Sequence, residues 1–134
     1  MPFIENCSRL DIKNGWHSKI NTNTILIQIS DIDAIEPKPL MYFREIYNFW
    51  FEDTEKDAPG FITDKQAYEI CSVLRNALSD NRDIIVHCHA GLCRSGAVVE
   101  AALHIGFNPV VSRIRYPNSD ITVKLLKTLE TIRE

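Results

Sequence analysis

Apolar positions along the chain fall into two kinds of run: short β-branched blocks and longer stretches with helical spacing. Ile84-Ile85-Val86 has the length and composition of a strand buried on both faces. Thr24-Ile25-Leu26-Ile27-Gln28-Ile29-Ser30 is a second such strand. Arg44 to Phe51 is aromatic, β-branched and partly alternating, and is predicted as a third, with a helix from Leu40 onward the weaker alternative. Phe3 to Cys7 suits a short edge strand.

Between these blocks the period changes to that of a helix. Thr63-Asp64-Lys65-Gln66 has the spacing of a capping box, Thr at the N-cap and Gln three residues on. The helix it opens runs to about Ser79, with Ala67, Ile70, Cys71, Leu74, Ala77 and Leu78 on its apolar face. From Ser95 to Ile105 a second helix is apolar nearly all round, and Gly106 stands where a glycine would stop it. Pro117-Asn118-Ser119 begins a last helix with Ile121, Leu125, Leu129 and Ile132 as its core stripe. Strands alternating with helices imply an α/β class: a mostly parallel central sheet flanked by helices, with ligands at the C-terminal strand ends.

The polar stretches read as connections. Ser8 to Asn23 is polar with a turn at Asn14-Gly15, and Trp16 and His17 within it receive no role. Asp31 to Leu40 is a loop, given Pro37 and Pro39, with one helical turn expected near Asp33 to Ile35. Glu52 to Gly60 is an acidic loop closed by Pro59-Gly60. Asn108-Pro109 is expected to break the structure, and Arg113 to Tyr116 reads as a solvated turn rather than a substrate-mouth lining.

With 134 residues and no repeat or linker, residues 1–134 are expected to form a single domain, and a monomer. A net charge of -3 supplies no attraction for nucleic acid or an anionic membrane. No apolar run approaches membrane-spanning length, and Met1-Pro2-Phe3-Ile4-Glu5 lacks a signal peptide's basic start, so a cytoplasmic location is expected. Cys7, Cys71, Cys88 and Cys93 have no disulfide-framework spacing. Zinc on His87, Cys88, His89 and Cys93 is disfavoured, because neighbours on a strand point to opposite faces and no second cluster completes a tetrahedron. No metal or cofactor is called for.

The chemistry concentrates where the central strand meets the apolar helix. His87-Cys88-His89-Ala90-Gly91-Leu92-Cys93-Arg94-Ser95 joins them through a short loop with a Cys at one end and an Arg at the other. Such a loop aims backbone N–H groups and a helix N-terminus at one point, which suits a phosphate. Cys88 at its base would be favoured as thiolate, the nucleophilic form. Arg94 presents a planar fork for two phosphoryl oxygens. Gly91 permits a backbone geometry that a Cβ obstructs, and Ser95 can hydrogen-bond the sulfur and help it leave. A thiolate under a bound phosphate implies in-line attack and a phosphocysteine intermediate. His87 is expected to order the loop, and His89 to sit at its mouth. Cys93 and Cys71 are either packing residues or redox partners of Cys88.

These residues match H-C-x-x-G-x-x-R-[ST], and the chain here resembles the cysteine-based protein tyrosine and dual-specificity phosphatases in a compact form. The resemblance covers about Ile25 to Ile105 in arrangement and is specific in the loop. It implies a phosphate-binding loop of His89, Ala90, Gly91, Leu92, Cys93 and Arg94, with Cys88, Arg94 and Ser95 catalytic. It also implies an aspartic acid on a loop some thirty residues before the Cys. Asp53 and Asp57 are eligible, and Asp53, at the strand-to-loop boundary after Phe49-Trp50-Phe51-Glu52, is preferred. With no Lys in the loop, a phosphoprotein is favoured over a phosphoinositide as substrate. Rhodanese-like sulfurtransferases share the strand–loop–helix, and Gly106-Phe107 resembles their helix ending, but their loop is one residue shorter. The low-molecular-weight phosphatase pattern shares Cys93-Arg94-Ser95 but places its loop at the N-terminus. A decayed phosphoresidue-binding module is the remaining alternative.

Overall fold

A computed structural model describes residues 1–16, 21, 23–111 and 113–132; His17 lies outside them. Five strands form one sheet in the order β3-β2-β4-β1-β5, where β1 is Phe3–Ser8, β2 Ile25–Ser30, β3 Glu45–Trp50, β4 Ile84–Cys88 and β5 Asn108–Pro109. Every pairing is parallel. The helices are α1 (Arg9–Asn14), α2 (Asp64–Ser79), α3 (Arg94–Ile105) and α4 (Ser119–Ile132).

Alternation along the strands divides the core in two. Ile84, Val86 and Cys88 of β4 join Ile25, Ile27 and Ile29 of β2 in the main cluster with α2, α3 and α4. Ile85 faces the other way, into a small cluster with Cys7, Ile12, Leu26 and Phe43 beneath α1. Cys88 therefore points to the face carrying α3, whose N-terminus sits over the end of β4. A strand-to-helix connection in a parallel sheet produces this placement.

Four local expectations need correction. β1 is interior, between β4 and β5, rather than an edge strand. Its polar positions Glu5 and Asn6 are buried, because Arg113 reaches Glu5 at 2.6 Å and Asn6 donates to the Gly91 and Ile114 carbonyls. Within the polar stretch after Ser8 lies α1, opened by a capping box of Ser8 and Asp11 and closed by left-handed Gly15. The segment from Asp31 to Leu40 contains no helix. Asn108-Pro109 does not end the sheet; it pairs with Phe3 and Ile4 at the edge, where Pro is tolerated. The box at Thr63 and Gln66 forms as expected, with α2 ending at Ser79.

Candidate active site at the end of strand β4

Cys88 is the last residue of β4 and is 3% exposed. Its Sγ accepts the backbone N–H of Ser95 at 3.4 Å and lies 3.3 Å from the Ser95 hydroxyl. Cys93 takes the N-cap position of α3 but makes no side-chain cap bond. The positive end of the α3 dipole is thus directed at the sulfur. A hollow of about 370 Å³ lies elsewhere, between β3 and α2, and contains none of these residues.

Arg94 is buried, and one nitrogen makes both of its recorded bonds: Nη1 donates to Asp31 Oδ1 and to the Phe51 carbonyl, each at 2.8 Å. Its Nε is buried and without a hydrogen-bond partner among the described residues. A buried N–H left unpaired costs about 1–3 kcal/mol, so a fold that retains one favours an acceptor beside it.

The loop between Cys88 and Arg94 is braced from three sides. Gly91 adopts φ +77°, and a Cβ on it would lie 2.4 Å from the Cys7 carbonyl carbon. Asn6 donates to the Gly91 carbonyl at 2.8 Å, and Arg9 N–H to that of His89 at 3.1 Å. Tyr116 and Asn118 donate backbone N–H groups to the carbonyls of Leu92 and Cys93. The 113–118 segment is therefore a wall of the loop and not a free solvated turn. Arg113 anchors it through Glu5, Asp11 and the Trp16 carbonyl. His89 and Ala90 are exposed, while Leu92 and Cys93 are half-buried.

Asp53 is brought to the loop. It accepts from Asn118 Nδ2 at 2.8 Å, and its carboxylate faces the Cys93 thiol. Burial and that carboxylate together push the Cys93 thiol pKa up. Asn118 also donates to Thr54 O and caps α4 by accepting from Ile121 N–H, so its side chain joins the 53–54 loop to that helix while its backbone N–H holds the Cys93 carbonyl. Asp57 instead has φ +69° and borders a separate hollow with Lys56, Lys124 and Lys127.

His87 is fully buried on the opposite face from Cys88, with Nε2 3.0 Å from Gln28 Oε1. Burial lowers its pKa to about 4, which makes the ring neutral near pH 7. Gln28 donates to Asn48, and Asn48 to Glu36, so the chain of bonds crosses β2 and β3. Cys71 is buried between α2 and α4 with Sγ 3.4 Å from the Leu125 carbonyl, and burial pushes its thiol up to about 12. Cys7 is likewise pushed up by burial.

Asp31, Asn6, Asn118 and Arg113 escaped the reading of the sequence. Asp31 stands 63 residues from Arg94, and Arg113 stands 108 from Glu5. Only the burial of polar β1 positions could have hinted at the latter.

Residues 51–106 match the model of a family described as a polymorphic toxin system DSP-PTPase phosphatase. That span holds the acid loop, α2, β4, the Cys88–Arg94 loop and α3. The structure is similar to the crystal structure of human tyrosine phosphatase-like serine/threonine/tyrosine-interacting protein. The TM-score is 0.56 and the identity 18%, over 82% of this chain and 78% of that one. At that identity the likeness speaks for the fold. No curated protein matches the chain. The two findings bear out the resemblance: residues 51–106 match a DSP-PTPase family model, and the fold is similar to that of a tyrosine phosphatase-like protein.

Proposed function

We propose that the protein is a cysteine-dependent phosphatase that hydrolyses phosphomonoesters, best suited to phosphotyrosine or phosphoserine/threonine in proteins. The observation that carries this reading is the pairing of a sulfur that accepts the N–H of Ser95 with an Arg94 whose buried Nε lacks an acceptor. A phosphoryl group above Cys88 would meet both the nucleophile and the guanidinium. No helix among the described residues is long and apolar enough to cross a membrane.

In the first step the Cys88 thiolate forms an S–P bond as the P–O bond to the leaving group breaks. The carboxyl of Asp53 gives its proton to the departing oxygen. Arg94 and the α3 N-terminus hold the equatorial oxygens, where charge is spread in the transition state. In the second step water attacks the phosphocysteine and Asp53 takes its proton. The S–P bond breaks, phosphate is released, and the Ser95 hydroxyl stabilises the returning thiolate. The presence together of Cys88, Arg94, Ser95 and Asp53 favours an enzyme over a phosphoresidue-binding module.

Hydrolysis of para-nitrophenyl phosphate tests the proposal. Turnover is expected with excess chelator present, to be inhibited by vanadate, and to be lost in Cys88→Ser. Thiosulfate-to-cyanide sulfur transfer in place of phosphate release would support a sulfurtransferase instead.

A further inference from the structure

The Arg94 guanidinium is held on one edge only. Nη1 carries both recorded bonds, and Nε, on the opposite side of the fork, is buried without a partner among the described residues. Two segments supply the grip. Asp31 directly follows β2, and Phe51 directly follows β3 at the root of the acid loop. These segments are tied to each other: Phe51 N–H donates to Ser30 O at 3.1 Å and Ile32 N–H to Glu52 Oε2 at 2.8 Å.

We propose that Asp31 is a positioning residue for oxyanion binding: by holding Nη1 it turns the Nε side of Arg94 toward the Cys88–Arg94 loop. The inference rests on the phosphatase reading and deepens it. An arginine side chain has several rotatable bonds, and a bond fixing one end of its fork removes most of the orientations in which the other end misses its target. The Phe51 carbonyl alone is one acceptor without charge. The Asp31 carboxylate adds a charge-assisted bond in a second direction, which fixes the plane of the guanidinium. Asp31 is 55% exposed at its side chain, so the ion pair contributes little to folding. Its effect is therefore on where Arg94 points rather than on whether the chain folds.

The test uses the full chain and tungstate, a tetrahedral oxyanion, titrated calorimetrically against wild type, Asp31→Ala, Asp31→Asn and Asp31→Glu, with thermal unfolding of each. The expected result is tungstate affinity weakened about tenfold or more in Asp31→Ala. A smaller loss is expected in Asp31→Asn, which keeps an acceptor, and partial recovery in Asp31→Glu, with unfolding midpoints close to wild type in all three. Turnover should fall by the same factor for an aryl phosphate with a good leaving group and one with a poor leaving group, because Arg94 holds the phosphoryl group. Unchanged tungstate affinity in folded Asp31→Ala overturns the proposal, as does a loss confined to the poor leaving group, which would assign Asp31 to the acid loop. A wild-type chain that binds tungstate without turnover contradicts the phosphatase reading and still decides the role of Asp31.

Discussion

Replacing Gly91 by alanine isolates the contribution of loop geometry, because it adds one methyl group and no charge. The new Cβ would stand 2.4 Å from the Cys7 carbonyl carbon, 2.6 Å from its oxygen and 2.6 Å from Ser8 N. That is about 1 Å short of an ordinary carbon–carbon separation. The obstacle is the backbone of β1, which pairs with β4 at Ser8 and Cys88 and so cannot retreat alone. Left-handed φ at a residue with a side chain adds about 1–2 kcal/mol, and unrelieved overpacking about 1–3 kcal/mol more. Denaturant unfolding should show Gly91→Ala destabilised by about 2–5 kcal/mol, the sum of those two costs. Any relief comes from the loop sliding away from β1, which strains the bond from Asn6 to the Gly91 carbonyl and moves the cradle relative to Sγ. A shift of that size costs on the order of a hundredfold in kcat/KM. Wild-type stability together with wild-type turnover in Gly91→Ala would refute this account of the loop.

Three further outcomes follow from particular groups. Burial holds the folded-state pKa of His87 near 4 against 6.5 for an exposed ring, so the unfolded chain takes up the proton first as pH falls. Stability should therefore drop through the window from about 6.5 to about 4, by about 3 kcal/mol in total; unfolding of His87→Gln across the same window should be flatter, and an identical slope would contradict the assignment. Asp53→Asn should lower turnover by about two decades and leave substrate binding nearly intact, whereas Asp57→Asn should change little; the reverse pattern would transfer the general-acid role to Asp57. Asn118→Ala, which removes the side chain joining Asp53, Thr54 and the first turn of α4, should reduce turnover more for poor leaving groups than for good ones; equal loss on both would show that it does not act through the acid.

The centre of the molecule was legible in the sequence because its signals are local and strong. β4 is a β-branched block, α3 is apolar nearly all round, and the seven residues from Cys88 to Arg94 carry their own spacing. α2 announced itself through Thr63 and Gln66. What could not be seen was either short or distant. α1 has only six residues, too few for a helical period, and its capping box uses Asp11 where Glu or Gln is the usual signal. β1 suits an edge by its sequence, yet its polar Glu5 and Asn6 are each buried against a partner more than eighty residues away. Arg113 looked solvated for the same reason: its carboxylate partners lie at the other end of the chain. Asp31 had no motif to mark it, and only the folded arrangement sets it beside Arg94.

Every step of the proposed chemistry passes through one covalent bond, and that bond can be looked for directly. Turnover of an aryl phosphate should be quenched within the first cycle and the chain digested for mass spectrometry, using wild type and Ser95→Ala, in which return of the thiolate is slowed. The account predicts a phosphoryl group on Cys88, at higher occupancy in Ser95→Ala than in wild type. Phosphate release with Cys88 never modified, or undiminished in Cys88→Ser, would contradict it.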